Sequence, residues 1–303
     1  MRPIAGLAFA LMCLLAGPIA VSADQGAYPT TEAAKDAAYS SLHWQSEMGA
    51  YKLPASHATI KLKGGYLLML GHDAARYSWL ASGVEFPDTE AVITYESGNA
   101  TAMVYYEWHD EGYISDSDWG DVEPDALLAK YREGTESSND TRVANGMNPM
   151  EVVGWLEAPH YDKASRTVTY AIELKDKDGA WVNAFALRLG RGGYTEFTWV
   201  GPVGAFKSAS SRPALLNHAL SMHSFDKGYR YTDYTDGDKV ASYGIAGLIA
   251  AAMGAKFGKG LFAGLLVAIL GFKKVLVPAI AVGAAAIMKF GRRLMGGGQH
   301  ADT

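Results

Sequence analysis

The C-terminal residues 239–303 alternate apolar runs of glycine, alanine, leucine, isoleucine and valine with small clusters of lysine and arginine. They contain eight basic residues and one acidic residue, Asp302. Apolar segments of this kind partition into lipid bilayers, and lysine and arginine collect at the cytoplasmic surface. The sequence therefore predicts a membrane-anchoring segment with a basic tail at residues 239–303. Any water-soluble fold must be built from the residues before it.

Two kinds of side chain are expected where such a segment meets the lipid headgroups. Tyrosines prefer the headgroup layer, and long basic side chains can reach it from within the bilayer. The predicted membrane-interface residues are Tyr229, Tyr231, Tyr234, Tyr243, Lys256, Lys259, Lys273, Lys274, Lys289, Arg292 and Arg293.

The number of membrane crossings stays open. The apolar runs 240–255, 260–272 and 275–288 are each shorter than the roughly 20 residues that a helical span needs. A span centred on the lysines at 273 and 274 is disfavoured, because each would cost about 2.5–3.5 kcal/mol at mid-bilayer. One long span with an interfacial helix, or three short spans, would leave the body outside and the basic tail inside. Self-association through close helix packing is also predicted, from small residues at every fourth position: Ser242, Ala246, Ala250, Gly254 and Gly258.

Residues 1–23 have the organisation of a secretory signal peptide. Arg2 precedes an apolar run at 4–16, and the small residue Ala23 ends the segment, so we predict cleavage after it. The single cysteine of the chain, Cys13, lies in this segment. A mature chain without cysteine has no disulfide, no thiol nucleophile and no cysteine-ligated metal.

Charge divides the chain in the same way. Residues 24–238 carry 31 acidic and 18 basic residues, a net formal charge of −13, whereas residues 239–303 carry a net charge of +7. Because nucleic-acid binding needs a basic face to neutralise phosphates, the acidic body argues against a nucleic-acid partner. The basic, apolar tail matches anionic lipid headgroups. The predicted partners are the lipid bilayer and either a protein partner or a second copy of the chain.

The body between these ends has the pattern of one α+β domain at 57–238, preceded by a polar segment at 24–56 with a short helix starting near Thr31. Helices are predicted at 73–82, from Pro124 to about residue 144, and from Pro213. The short connections between strands require antiparallel neighbours, and Gly64-Gly65 predicts a tight hairpin. We therefore expect one antiparallel sheet of six to eight strands with packed helices, followed by a C-terminal transmembrane helical segment. Strands are predicted at 59–63, 66–70, 90–96, 102–109, 151–157, 166–175, 181–189 and 193–200.

Several short stretches of the sequence resemble those of a known family, the uncharacterised bacterial membrane-anchored proteins called domain of unknown function 2167. The resemblance covers roughly residues 57–290. It implies a bacterial envelope protein with a C-terminal membrane segment. From the signal peptide and the basic tail we predict a location at the cell inner membrane, with the soluble domain facing the periplasm or the outside. The resemblance brings no assigned activity and no catalytic residues. The stretches are Ile93-Thr94-Tyr95-Glu96, Glu111-Gly112-Tyr113-Ile114, Val153-Gly154-Trp155, Ala158-Pro159-His160-Tyr161-Asp162, Leu189-Gly190-Arg191-Gly192, Tyr229-Arg230-Tyr231 and Lys239-Val240-Ala241-Ser242-Tyr243-Gly244-Ile245-Ala246-Gly247.

The densest acidic cluster lies at residues 110–125. Asp116, Asp118 and Asp121 are candidate metal ligands, since calcium binds several carboxylate oxygens. The cluster lacks the spacing of a calcium-binding loop. The pattern favours a solvated loop that leads into the helix at Pro124, whose N-terminal dipole stabilises carboxylates. No cofactor is predicted.

The sequence contains neither a Gly-x-Ser-x-Gly elbow nor a His-Glu-x-x-His motif, and its histidines are scattered singly. These features favour a non-catalytic binding or scaffolding domain over an enzyme. Two alternatives stay open. One is an envelope hydrolase that uses a carboxylate pair, Glu111 with Asp116 or Asp118. The other is a membrane-active tail at residues 254–274, where a cationic apolar helix would act on lipids directly.

Overall fold

The computed structural model describes residue 29 and residues 31–82, 86–96, 103–144, 148–207 and 213–254. The predicted signal peptide lies outside these residues, and so does everything after Gly254, including the basic interface residues from Lys256 to Arg293 and most of the predicted membrane-active tail. Across the described ranges, no helix combines the length and the apolar character needed to cross a bilayer.

The chain folds as an α+β protein with a large antiparallel sheet of seven strands, as the sequence predicts, and a second sheet of three strands. The strands are β1 (Gly49–Leu53), β2 (Ala58–Leu62), β3 (Tyr66–Leu70), β4 (Thr89–Tyr95), β5 (Met103–His109), β6 (Glu151–Asp162), β7 (Thr167–Asp176), β8 (Gly179–Leu189), β9 (Tyr194–Pro202) and β10 (His223–Phe225). The helices are α1 (Glu32–Ser40), α2 (Gly71–Ser82), α3 (Pro124–Ala144), α4 (Val203–Lys207), α5 (Ala214–Met222) and α6 (Ile245–Gly254).

The large sheet has the order β3-β4-β5-β9-β8-β7-β6, and every neighbouring pair is antiparallel. Seven of the eight predicted strands form it. The short turns between β6 and β7, between β7 and β8 and between β8 and β9 make consecutive strands neighbours, as the sequence predicts. Residues 97–102, which connect β4 and β5, lie outside the described residues.

The predicted hairpin at Gly64-Gly65 is wrong. The strand before it, β2, pairs with β1 and β10 in the small sheet, whereas β3 pairs with β4 in the large one. Because β2 is the middle strand of its sheet, β1 pairs with its whole length on one edge and β10 pairs with residues 58–60 on the other. Gly65, at a φ of 86°, instead turns the chain from one sheet into the other.

The core lies on both faces of the large sheet, because successive side chains of a strand point to opposite sides. On β9, Tyr194 and Val200 pack toward α3 and α6, whereas Phe197 and Trp199 pack toward α5 and the small sheet. A third cluster, around Tyr105, packs under α1 and α2. Full burial of a side chain such as Phe197 stabilises the fold by about 1.5–3 kcal/mol.

The outermost strand, β6, is longer and less regular than predicted. It runs on to Asp162 through Pro159, and its pairing with β7 shifts register at three places. Proline lacks the N–H that a central strand needs, so it is tolerated at a sheet edge and at bulges. The sequence analysis predicted that this strand ends at residue 157.

Candidate functional site

The segment after β10 returns to the large sheet and joins the acidic loop that follows β5. We call this region the junction and define it as residues 110–118 with residues 228–245. Tyr113 N–H donates to the carbonyl of Lys239 at 2.8 Å, and Ala241 N–H donates to the carbonyl of Tyr113 at 2.9 Å. These bonds form a short parallel bridge between Tyr113 and Val240. The junction therefore attaches the chain leading into α6 to the body by backbone pairing.

Helix α6 comprises the last ten described residues and belongs to the segment predicted to anchor the chain. Its residues Ile245, Leu248 and Ile249 are each 0 % exposed and pack in the same cluster as Tyr131 of α3. The packing of the body thus extends beyond Asp238, through Gly254. Ala246 and Ala250, part of the predicted self-association stripe, are also buried here.

Gly112 permits the close approach of the two halves of the junction. Its φ is 89°, and a Cβ at this position would lie 2.7 Å from the carbonyl oxygen of Lys239. Its N–H donates to the carbonyl of Gly192 at 2.9 Å. Glycine is required here both by the left-handed backbone and by the contact.

Asp118 binds the first turn of α6. Its Oδ1 accepts a hydrogen bond from Ile245 N–H at 2.8 Å, and a Cβ on Gly244 would overlap its carboxylate. The same Ile245 N–H also donates to the carbonyl of Ser115 at 3.0 Å, so Asp118 shares this donor, and its negative charge interacts favourably with the N-terminal end of the helix dipole. Burial raises the pKa of Asp118 above its ordinary value, and the hydrogen bonds from Ile245 and Ala246 offset only part of that shift.

Asp116 faces away from this helix and pairs with two other side chains. Its Oδ2 accepts a hydrogen bond from the Tyr161 hydroxyl at 2.8 Å and an ion-paired hydrogen bond from Arg166. Burial alone would raise the pKa of Asp116, but the Tyr161 hydrogen bond and the Arg166 charge outweigh it and leave the pKa below its ordinary value. Arg166 also lies over the ring of Tyr231, with its Cζ 4.8 Å from the ring centre.

A second ion pair closes the junction from the other side. Arg191 donates from Nε and Nη2 to the two carboxylate oxygens of Asp238, both at 2.7 Å. The same guanidinium donates to the carbonyl of Gly228 at 3.1 Å and to Thr235 Oγ1 at 2.8 Å. The hydrogen bonds from Arg191 hold the pKa of Asp238 down to about 2.

The four tyrosines predicted at the membrane interface have different environments. Tyr231 is 6 % exposed and donates its hydroxyl to the carbonyl of Ile114 at 3.0 Å, so its ring faces the interior. Tyr231 and Tyr234 pack against Tyr113, with ring centres 4.6 and 4.2 Å away. Tyr243 is partly buried in the cluster that contains α6.

Tyr229 is the most exposed of the four, at 42 %, and its ring stacks on His57 with the ring centres 3.8 Å apart. His57 belongs to the turn between β1 and β2 and has a positive φ of 51°. This stack joins the small sheet to the junction on the outer surface of the body.

The candidate metal ligands do not converge. Asp116 binds Arg166, Asp118 binds α6, and Asp121 ends a short 3₁₀ helix at Trp119–Asp121. Among the described residues, no three His, Cys, Asp or Glu side chains come together as a group that could hold a metal ion. The two carboxylates proposed to act with Glu111 thus bind different structural elements. Of the three carboxylates, Asp118 is the one that helps to fix the position of α6.

The sequence analysis missed a second polar group, which lies in the core. Glu107 and Glu196 are direct cross-strand partners on β5 and β9 and are 7 % and 3 % exposed. Thr198 Oγ1 donates to Glu196 Oε1 at 3.0 Å, and His109 Nε2 lies 3.9 Å from Glu196 Oε2. The signal was present in the sequence, since both glutamates lie within strands that are rich in apolar and aromatic residues.

The fold and the junction together define a class of protein, an α+β domain whose last described helix is fixed to a large antiparallel sheet by ion pairs and closely packed glycines. The chain belongs to the family described as protein of unknown function (DUF2167), whose profile matches residues 45–283. The resemblance predicted from the junction motifs is confirmed. Membership of this family assigns no activity.

Comparison with other proteins adds little. No curated protein sequence matches the chain. Among solved structures, the cyanobacterial PsbP protein (CyanoP) of Synechocystis sp. PCC 6803 is similar over 60 % of this chain and 94 % of its own, with 11 % identity and a TM-score of 0.37. A similarity at this level supports no inference about function.

Proposed function

We propose that this chain is a non-catalytic binding or scaffolding protein of the bacterial envelope. In this proposal its α+β body faces the periplasm or the outside, and the segment after Gly254 holds it at the inner membrane. The protein binds the lipid bilayer through that segment and a protein partner through the body. The opposite net charges of body and tail support this arrangement, because the acidic body is repelled by the anionic headgroups that attract the tail.

One observation carries the proposal. Asp118 binds the first turn of α6, while the ion pairs of Asp116 and Asp238 fix the acidic loop and the segment that leads to the helix. The rest of the apolar, basic part of the sequence follows directly after α6. A body attached in this way would keep a fixed orientation relative to the start of its anchor. The junction side chains thus have a mechanical role that requires no chemistry.

We also include self-association in this proposal, but fewer residues of the small-residue stripe are left for it. Because Ala246 and Ala250 pack inside the body, a second copy would have to bind the continuation of the small-residue stripe, at Gly258 and beyond. Cross-linking of the full chain in cells tests both partners. We expect one reproducible adduct that requires the body, or a dimer that requires Gly258. The recovery of neither would contradict the binding role.

Anchoring is tested by comparing the full chain with a chain that ends at Gly254. We expect the full chain in the membrane fraction after alkaline extraction, with its body digested when protease is added to spheroplasts. The shortened chain should appear in the soluble periplasmic fraction. A chain ending at Met295 keeps every apolar run and serves as the matched control, which should remain in the membrane. Recovery of the full chain as a soluble protein would contradict the proposal.

A further inference from the structure

His223 lies at the point where α5 becomes β10. The side chain is 4 % exposed, and the residue is the cross-strand partner of Ile60 in the middle strand of the small sheet. His223 therefore follows the last residue of a helix, begins a strand, and lies in the apolar layer between the two sheets.

The imidazole of His223 is surrounded by aromatic rings. The rings of Phe197 and Phe225 meet it edge to face with centres 5.1 Å away, and the Tyr106 ring centre is 6.2 Å away. Among the residues that the structure describes, neither ring nitrogen of His223 has a hydrogen-bond partner. A neutral imidazole is tolerated in such surroundings at a modest cost, whereas an imidazolium has two N–H donors with no acceptor.

In the described ranges, the charged group that opposes protonation of His223 is Arg188, and the acidic residue that would favour protonation already has partners of its own. Arg188, on β8, donates from Nη1 to the carbonyls of His223 at 3.0 Å and Leu220 at 2.8 Å. Asp226, just after β10, is the acidic residue that acts on His223. Its carboxylate is already bound by Lys52 Nζ at 2.7 Å and Thr59 Oγ1 at 2.6 Å.

Within the described part of the chain, the remaining neighbours of His223 offer no compensating charge. Tyr106, on β5, donates its hydroxyl to the carbonyl of Ala219. Thr195, on β9 beside Arg188, is neutral and buried. On α5, His218 is exposed and bonded to Tyr66. An imidazolium at position 223 would therefore be stabilised only by an open structure.

We propose that His223 is an acid-sensitive latch, whose protonation releases α5, β10 and the small sheet from one face of the large sheet. The opposite face, which carries α3 and α6, keeps its packing because its clusters lie on the other side of the sheet. Opening would uncover an apolar surface around Phe197 and Trp199. This device is independent of how the chain is attached to a membrane.

The direction of the pH dependence follows from the two states of the histidine. Burial first, and then the Arg188 charge, lower the pKa of His223 from 6.5 to about 3 in the closed state, against a weaker opposing effect of Asp226. In the open state the imidazole is solvated, and its pKa returns to about 6.5. The closed state is thus fully favoured above about pH 6.5. Below it, the open fraction rises about tenfold per pH unit until about pH 3.

Hydrogen–deuterium exchange of the full chain in mild detergent, between pH 7.5 and 5 and corrected for intrinsic rates, tests the latch. We expect protection at residues 49–62 and 214–225 to fall about tenfold per unit below pH 6.5. Protection at residues 124–144 and 245–254 should stay constant. Unchanged protection at residues 214–225, or an equal loss on both faces, would overturn the proposal.

Two variants separate His223 from other titrating groups. In His223→Leu, which places an apolar side chain in the aromatic surroundings, the pH dependence at residues 214–225 should disappear. His218→Leu, the same change at an exposed position of the same helix, should behave as the wild type. If His223→Leu retains the wild-type slope, the latch is wrong.

Should His223→Leu fail to fold, the wild-type chain decides the matter through nuclear magnetic resonance of its ring carbons. In molecules whose α5 resonances are those of the closed state, we expect the His223 ring to stay neutral down to about pH 4. A midpoint near pH 6.5 with unchanged α5 signals would overturn the proposal.

Discussion

Arg191 holds Asp238 by two parallel hydrogen bonds of 2.7 Å, one to each carboxylate oxygen. This pairing connects the turn between β8 and β9 to the segment that leads into α6. A bidentate arginine–carboxylate pair fixes orientation as well as distance, which a lysine in place of Arg191 could not do.

We expect Asp238→Asn to lower the free energy of unfolding at neutral pH. Because the pKa of Asp238 lies near 2, below its ordinary 3.8, the stability that its charge contributes is complete above about pH 4. That contribution is lost as the pH falls through 2. Urea unfolding at several pH values should show a difference between variant and wild type that is constant above pH 4 and shrinks toward pH 2. Asp236→Asn, at an exposed position two residues away, is the control and should show no difference.

Gly112→Ala should destabilise the protein by about 2 kcal/mol or more. The substitution forces alanine into a left-handed backbone and brings its Cβ to 2.7 Å from the carbonyl oxygen of Lys239. Urea unfolding followed by tryptophan fluorescence measures the loss. Gly120→Ala is the matched control, since an added Cβ there meets nothing within 4 Å. Equal stabilities of the two variants would refute the close packing of the junction.

Asp118→Ala should weaken the first turn of α6. Removal of a side chain that accepts from a helix N-terminus costs about 1 kcal/mol, and hydrogen exchange at residues 245–248 should accelerate accordingly. Asp118→Asn keeps an oxygen in place of Oδ1 and should retain most of the protection. Equal exchange in the alanine and asparagine variants would show that Asp118 does not cap this helix.

Tyr231→Phe removes one hydroxyl from the interior of the junction and leaves the carbonyl of Ile114 without its donor. We expect a loss of about 1 kcal/mol in the free energy of unfolding. Tyr229→Phe, at the exposed tyrosine, is the control and should lie within about 0.5 kcal/mol of the wild type. A larger effect at position 229 than at 231 would indicate that the exposed ring, and not the buried one, carries the stability of this region.

The strands of the large sheet were predictable because a short run of β-branched, aromatic and other apolar residues between turn residues is a local signal, and short turns such as 177–178 leave only antiparallel neighbours. The partner of β2 was not predictable in this way. Its sequence fits a hairpin with β3, but pairing with β1 and with the three-residue β10 depends on contacts between distant segments. A strand of three residues is too short to show alternation, so His223 was interpreted as part of a helix.

The junction shows a different limit of sequence patterns. Residues 245–254 are apolar around the whole helix, and this composition suits a membrane span and a helix enclosed by protein equally well. Ile245 and Leu248 are fully buried within the described residues, so these residues of α6 are enclosed by protein. The acidic loop was recognised from sequence, but its partners Arg166 and Ile245 are distant in the chain and follow only from the fold.

The irregular strand β6 has a consequence for how molecules of this protein meet one another. A straight outer strand would offer a continuous row of donors and acceptors, on which a strand of a second molecule could form. Pro159 and the three register shifts break that row. At the other end of the sheet, Gln45 exchanges backbone hydrogen bonds of 2.7 and 2.9 Å with Leu68 and so occupies part of the β3 edge. Both outer strands of the large sheet are therefore poor templates for a strand of a second molecule.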